Sequence, residues 1–455
     1  MDAVAIHPHL PRIRDSRSPI ADSRLFSQPL VSIITDTDTP RLHYVLDFLS
    51  GFFGRPFVRN GAEGVRVYYG AESSDALVTI RPSGLLNETG IRFHDLEVMR
   101  HREGFPIFFT DETDFGFDIF SAIFYLITRY EEYVKKERDS HGRFDHRASV
   151  AFEYGFLDRP LVHEWLAFFS EAVFGERILP PFSLQLTYDV DMAWSYRHKG
   201  FARNAGGLLR SLLRRDGTVA ERIAVLSGHR PDPFDNFGLM DALHRQYGLR
   251  PTYFIHAGTA RGPYDKNIPL AHPAMQRLVR KLAASCPVAL HPSWQSGDAA
   301  GLLEKEKAAL EAAVGRKVTA SRQHYIRMTL PDTYRALIAA GITDDYSMGY
   351  GSINGFRASV AVPFYWYDLQ AGQATNLLLH PFCFMDANAF YEQGQDAAQT
   401  ELELDRYLQT FKAWGGTFSS VWHNSFLGEG VGFGGWSVLW RSFLHEATAS
   451  LPRSD

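Results

Sequence analysis

After Pro180-Pro181 the chain settles into an alternation that limits its fold more than anything else in it. Short apolar runs are each followed by a stretch with helical spacing. Candidate strands cover 182–188, 251–256, 287–290, 318–322, 342–345, 362–368, 376–381 and 417–423. Candidate helices lie between them at 234–247, 271–285, 301–314, 330–340 and 396–414. Such repetition buries parallel strands under crossover helices. Seven or eight units predict an α/β fold over residues 181–455, a distorted (β/α)7–8 barrel.

The first 180 residues have a different texture. Residues 1–30 read as an extended lead-in. Strands are predicted at 30–34, 65–69 and 76–80, with a turn at Thr35–Pro40. Apolar spacing predicts helices over 118–133 and 161–174, joined by a charged connection at 135–145. This half reads as a smaller α+β domain. A chain of 455 residues exceeds what one core usually spans, so a boundary near Pro180 is natural.

Composition removes several classes of function. The net charge of −5, with no basic tract, argues against a nucleic-acid binder. Two cysteines, Cys286 and Cys383, cannot build a disulfide framework. No apolar leader opens the sequence, and no run of about 18 apolar residues could span a bilayer. A cytoplasmic location is therefore the default expectation, and oligomeric state is left open.

Four strand ends carry the candidate chemistry: Thr187-Tyr188-Asp189-Val190-Asp191, His291-Pro292-Ser293-Trp294, Ser321-Arg322-Gln323-His324-Tyr325 and Val421-Trp422-His423-Asn424. Residues two apart on a strand share a face, so Asp189 and Asp191 point into one cavity. Like charges that close require a cation or a shared proton. One carboxylate as metal ligand and one as proton acceptor is a natural division, although Asp36 and Asp38 show that such pairs also arise in turns. His291 suits a divalent cation with mixed nitrogen and oxygen ligands. Arg322 would hold a carboxylate ionised or serve as a structural ion pair. His423 could donate a proton to a leaving group. The Gly-rich stretch 428–435 lacks the context of a phosphate loop and reads as a loop or lid.

These residues resemble the motifs of the polysaccharide deacetylases of carbohydrate esterase family 4. That family has a distorted (β/α) barrel and uses a bound divalent metal to remove acetyl groups from sugars. Its first motif, Thr-Phe/Tyr-Asp-Asp, is similar to Thr187-Tyr188-Asp189-Val190-Asp191 with one inserted residue. The resemblance implies Asp189 as base and Asp191 as metal ligand. The second motif, His-Ser/Thr-x-x-His, is matched by His291 but meets Gln295 at its second His. The third, Arg-x-Pro-Tyr, resembles Arg322-Gln323-His324-Tyr325, and we infer that His324 supplies the ligand Gln295 cannot. The fourth implies that Asp345 contacts the orienting Arg322. The fifth, Leu-x-His, implies His423 as the acid, with His380 a competitor. Tyr325, through its backbone N–H, and Trp422 are the candidates for contact with substrate or oxyanion. The resemblance thus implies a carbohydrate substrate and a divalent metal, with Zn²⁺ the candidate. The segment 118–144 resembles a domain of unknown role found ahead of such barrels.

Two rival functions stay open at this stage. A glycoside hydrolase needs two carboxyl groups about 5–10 Å apart across the scissile bond, which suits neighbours on one strand poorly. A catalytically silent barrel that only binds glycan is favoured by the missing second His.

Overall fold

The computed structural model describes residues 29–71, 78–215, 217–258, 262–428 and 430–451. Apart from its last two residues, the expected lead-in 1–30 lies outside them, as do 76 and 77 of the strand expected at 76–80.

The first half contains β1 (Val31–Ile34), β2 (Phe57–Arg59), β3 (Val65–Tyr69) and β4 (Val78–Ile80). They form a sheet in the order β2-β1-β3-β4, with every pairing parallel. The expectation of segregated strands and helices is therefore corrected: parallel neighbours need crossovers, and helix Pro40–Phe53 supplies the first. That helix follows the turn read at Thr35–Pro40. Thr39 caps it by accepting from the Leu42 N–H, and Gly54 ends it at φ 62°. A two-residue pair, β5 (Met99–Arg100) and β6 (Pro106–Ile107), follows.

The predicted helix over 118–133 is broken into Ile119–Ile127 and Tyr130–Val134 by Arg129 at φ 55°. A non-glycine residue there is costly. Its buried guanidinium donates to Glu131 and Glu132 at 2.8 Å each. Helix Leu161–Phe174 forms as predicted.

The second half holds β7 (Phe182–Val190), β8 (Thr252–His256), β9 (Val288–His291), β10 (Ala320–Ser321), β11 (Asp344–Asp345), β12 (Phe364–Asp368), β13 (Gln373–Leu379), β14 (Phe384–Met385) and β15 (Gly416–His423). Their order is β12-β13-β11-β10-β9-β8-β7-β15-β14. Only β12 runs antiparallel. Among the described residues no pairing joins β14 to β12, so the expected barrel is an open, curled sheet. One edge ends in an antiparallel strand and the other in a strand of two residues. The curl is nonetheless deep. Three flat strand spacings span roughly 14 Å, yet Arg322 beyond β10 donates to Asp189 on β7 at 2.6 Å.

The predicted helices between strands are present at Phe237–Gln246, Pro273–Ser285, Leu302–Val314, Asp332–Ala339 and Ala397–Trp414. Three further helices, Phe201–Arg214, Thr218–Leu226 and Trp436–Ala449, lie where none is predicted. Among the described residues no helix is long and apolar enough to cross a membrane.

Buried contacts cross the boundary predicted near Pro180. Arg357 donates to both oxygens of Glu132, at 2.8 and 2.5 Å. His163 Nδ1 donates to the Trp414 carbonyl at 2.9 Å, and its Nε2 accepts from the Ala361 N–H at 3.0 Å.

Candidate metal centre

Register sets out the site before any side chain is considered. On neighbouring strands His423 pairs with Asp189, Asp189 with Phe254, and His256 with His291. β7 ends at Val190, so Asp191 lies one residue beyond it, on the same face as Asp189. Asp189, Asp191, His256, His291 and His423 therefore all face the hollow of the curled sheet, at the C-terminal ends of their strands. Trp422 sits one residue before His423 and faces the other way. It is fully buried, with its ring 5.2 Å from Phe384 and 5.5 Å from Phe443. The expectation that Trp422 touches substrate is corrected by this parity.

Three imidazoles converge on Asp191 through their Nε2 atoms. His291 is 3.1 Å from its Oδ1, and His324 and His423 are 3.5 and 3.6 Å from its Oδ2. The Nδ1 of each ring is engaged elsewhere. His291 Nδ1 donates to the Arg322 carbonyl at 2.6 Å. His324 Nδ1 meets Asp265 at 3.2 Å, and His423 Nδ1 meets Asp386 at 2.6 Å. A carbonyl oxygen can only accept, so a neutral His291 carries its proton on Nδ1 and presents the Nε2 lone pair to a carboxylate. Asp191 Oδ1 is buried and makes no hydrogen bond. Lone pair facing carboxylate is repulsive unless a proton or a cation lies between them. The same donor set, one carboxylate and imidazoles locked through Nδ1, is what a divalent ion such as Zn²⁺ requires. Ligand atoms of Asp191, His291 and His324 lie within 4.8 Å of one another. The residues present fit the ion.

The electrostatics agree. Burial pulls the His324 imidazole down, but the Asp191 and Asp265 carboxylates outweigh it and push its pKa up to about 9. Burial likewise opposes His423, yet Asp386, Asp191 and Asp189 raise it to about 10. Burial would raise Asp191, but the facing imidazoles hold it well below the usual carboxylate range. Without an ion the centre holds protons in its place.

Arg322 and Asp189 form the buried pair beside this centre. Arg322 Nη1 donates to Asp189 Oδ1 at 2.6 Å, its Nη2 to Thr187 at 2.8 Å and its Nε to the Tyr346 carbonyl at 3.0 Å. Asp189 Oδ2 lies 3.7 Å from His291 Nε2. Asp345 does not join them. Its carboxylate accepts from the Ser321 and Ser347 hydroxyls, both at 3.0 Å, and from the Ser347 N–H at 2.9 Å. Ser321 and Asp345 are in register, and Arg322, one residue on, turns to the opposite face. Burial pushes Asp345 up to about 6. His380, the competitor to His423, pairs instead with Asp344 at 3.0 Å and stacks on Tyr346.

Tyr325 stands at the rim at φ 59°, its ring 4.7 Å from His324 and 5.5 Å from His141. Trp294 and Tyr264 stack beside it at 4.1 Å. His141 belongs to the charged connection of the first half, so that half contributes to the rim.

Two carboxylates at the centre escape the motif reading. Asp265 Oδ1 accepts from the Trp294 N–H at 3.0 Å and holds both His256 and His324. It lies in a loop after β8 with nothing periodic to reveal it. Asp386 accepts from the His423 N–H at 2.7 Å as well as from its ring. It stands one residue past β14, the same kind of position as Asp191, so the strand-end rule could have found it.

Fold and site together define an open, mostly parallel sheet with a histidine-rich candidate metal centre at its carboxyl edge. Comparison with known proteins adds the following. A family of unknown function, DUF7033, matches residues 31–175. No curated protein matches the chain. Among solved structures, a protein described as a polysaccharide deacetylase from Mycobacterium smegmatis is similar at 16% identity and a TM-score of 0.38, over 60% of this chain and 89% of that one. A family 4 carbohydrate esterase from Streptomyces lividans is similar at 12% identity and a TM-score of 0.27, over 60% and 92%. A family 4 pseudoenzyme from Bacillus anthracis is similar at 7% and 0.30, over 59% and 61%. Likenesses this distant leave the assignment to the site itself.

Proposed function

We propose that this chain is a divalent-metal-dependent hydrolase that removes acetyl groups, in the first instance N-acetyl groups, from an amino sugar or glycan. The observation that carries the reading is the convergence of three Nδ1-locked imidazoles on the Asp191 carboxylate, His291 facing the buried Oδ1 that makes no hydrogen bond and His324 and His423 facing Oδ2. Asp191, His291 and His324 would hold the ion, which when bound lowers the pKa of water and polarises a carbonyl. Asp189, fixed by Arg322, accepts the proton of the attacking water. His423, held protonated by Asp386, returns a proton to the departing nitrogen. Asp265 and His256 keep His324 in its tautomer. Tyr325, Trp294, Tyr264 and His141 form the wall against which a sugar ring would lie.

Purified protein should release acetate from N-acetylated chito-oligosaccharides, and a chelator should stop it. Asp191→Ala should lose both metal and activity. Acetate release that survives the chelator and this substitution would overturn the reading. Glycan binding without turnover in the metal-loaded protein would favour the catalytically silent, glycan-binding reading instead.

A further inference from the structure

The hairpin of helices that follows β7 is amphipathic in the wrong sense for a soluble fold. Helix Phe201–Arg214 rests on the protein by its polar side. Asn204 and Ser211 are buried, with Asn204 Nδ2 donating to the Tyr196 carbonyl at 3.0 Å and Ser211 bonded to Thr218 at 2.8 Å. Arg222 of helix Thr218–Leu226 donates to Asn204 at 3.0 Å and packs so closely on Gly207 that a Cβ there would lie 2.7 Å from its guanidinium. These positions, 204, 207 and 211, fall on one helical stripe.

The opposite face carries the apolar residues, and it is turned outward. Leu209 is 60% exposed, Leu212 56% and Leu213 78%, joined by Phe201, 90% exposed as the helix's first residue, and by Ile223 and Leu226 of the second helix. Scattered exposed leucines mean little, but a contiguous patch on one helix face marks an interaction surface. Its charge says of what kind. Between 197 and 215 the sequence has six Lys or Arg and no Asp or Glu, so the expectation of no basic tract, drawn from the whole-chain charge of −5, is corrected here. Arg210, Arg214 and Arg215 are exposed along the helix. An outward apolar stripe flanked by arginines is the make-up of a helix that lies in the interface of an anionic bilayer. A second copy fits less well, because a two-fold contact through this face would set these arginines against their own counterparts.

The hairpin is tied to the end of the sheet that carries Asp191. Asp232 accepts from the backbone N–H groups of Ser195, Tyr196 and Arg197 at 2.7, 2.8 and 2.9 Å. Asn424, next to His423, donates to the Met192 carbonyl at 3.0 Å.

We propose that the outward face of helices Phe201–Arg214 and Thr218–Leu226 docks this protein on an anionic lipid surface, with the metal centre at the same end of the molecule. The proposal does not depend on the hydrolytic reading, and its test requires no turnover. The full chain should co-sediment with vesicles of three parts phosphatidylcholine to one part phosphatidylglycerol, and much less with phosphatidylcholine alone. Added salt should weaken the binding. Leu212→Glu with Leu213→Glu, and separately Arg210→Glu with Arg214→Glu, should each lower partition by about tenfold or more. Both pairs are exposed, so an unchanged circular dichroism spectrum confirms that the fold is intact. Absence of binding to anionic vesicles would overturn the proposal. So would binding that both double variants retain, or a wild-type dimer that the leucine pair converts to monomer without any vesicle binding.

Discussion

Metal uptake should release a countable number of protons. His324 binds an ion only through a bare Nε2, yet the surrounding carboxylates hold its pKa at about 9, and that of His423 at about 10. At pH 7 the His324 ring is then neutral about one time in a hundred, which weakens apparent affinity about 100-fold, or about 2.7 kcal/mol. Both groups are raised, so both lose protons as pH climbs, and affinity must climb with them. With His324 as ligand and His423 as a proton donor outside the shell, one proton leaves per ion. Apparent affinity then rises about tenfold per pH unit between about 7 and 9 and flattens above. If His423 also enters the shell, the rise is about a hundredfold per unit and two protons leave. Calorimetric titration with chelator-buffered Zn²⁺, repeated in buffers of different ionisation heat, counts them directly. His324→Ala should abolish the release. An affinity that is flat from pH 7 to 9 with no proton released would show that the ion does not enter through these imidazoles, and the proposed ligand set would be wrong.

Other outcomes follow from single residues. Asp189→Asn should keep the metal, because Asp189 stands beside the proposed ligands rather than among them, while acetate release falls to background. Loss of metal by elemental analysis would refute that division. Arg322→Met strands a buried carboxylate and should cost about 3–5 kcal/mol in chemical denaturation; a loss under about 1 kcal/mol would contradict the buried pair. Burial lowers His163 to about 4, so its contribution is complete above about pH 6.5 and is lost as pH falls through 4. The span corresponds to about 3 kcal/mol. Wild type should lose that much more stability than His163→Gln between pH 7 and 4, and equal losses would contradict it. Asp345 is raised to about 6, so it is held neutral in acid and costs stability as pH rises from about 4 to 6. Asp345→Asn should therefore melt higher than wild type at pH 8 and no higher at pH 4.

What could be read from the sequence follows from what repeats in it. The long strands at 182–190 and 416–423 and the helices at 161–174 and 397–414 carry their own period, and their positions were legible. Period two also puts Asp189 and Asp191 on one face. Applied to 422 and 423 it excludes Trp422 once His423 is taken to point inward, so that error was avoidable. Asp345 is different. Whether it meets Arg322 depends on the register between two strands of two residues each, and no local pattern encodes that. Asp265 is illegible for the same reason, since a loop residue is brought to the centre by tertiary contacts alone. Helix Phe201–Arg214 is absent from the sequence reading although its leucines recur at helical spacing, and spacing alone does not say which face meets the protein. The habit of turning apolar faces inward would have given the wrong answer.

The departure at Gln295 can be followed to its consequence. In a His-x-x-x-His motif the second ligand stands about one turn beyond the first on the same segment. Here that segment forms the short helix Trp294–Gly297, and Gln295 faces Gly262, where its Nε2 lies 2.9 Å from the place a Cβ would occupy. Gly262 belongs to the loop that carries Asp265, whose Oδ2 lies 3.4 Å from the same place. His324 comes instead from the next strand end, and its approach depends on more than its own position. The tight turn with Tyr325 at φ 59° leads the chain away, and Asp265, braced by His256 and the Trp294 N–H, holds its ring. In the proposed ligand set, His324 on the neighbouring strand end thus has its own carboxylate behind it. That carboxylate, next to Nδ1 while Nε2 faces Asp191, fixes the ring in the orientation that the proposed ligand role requires.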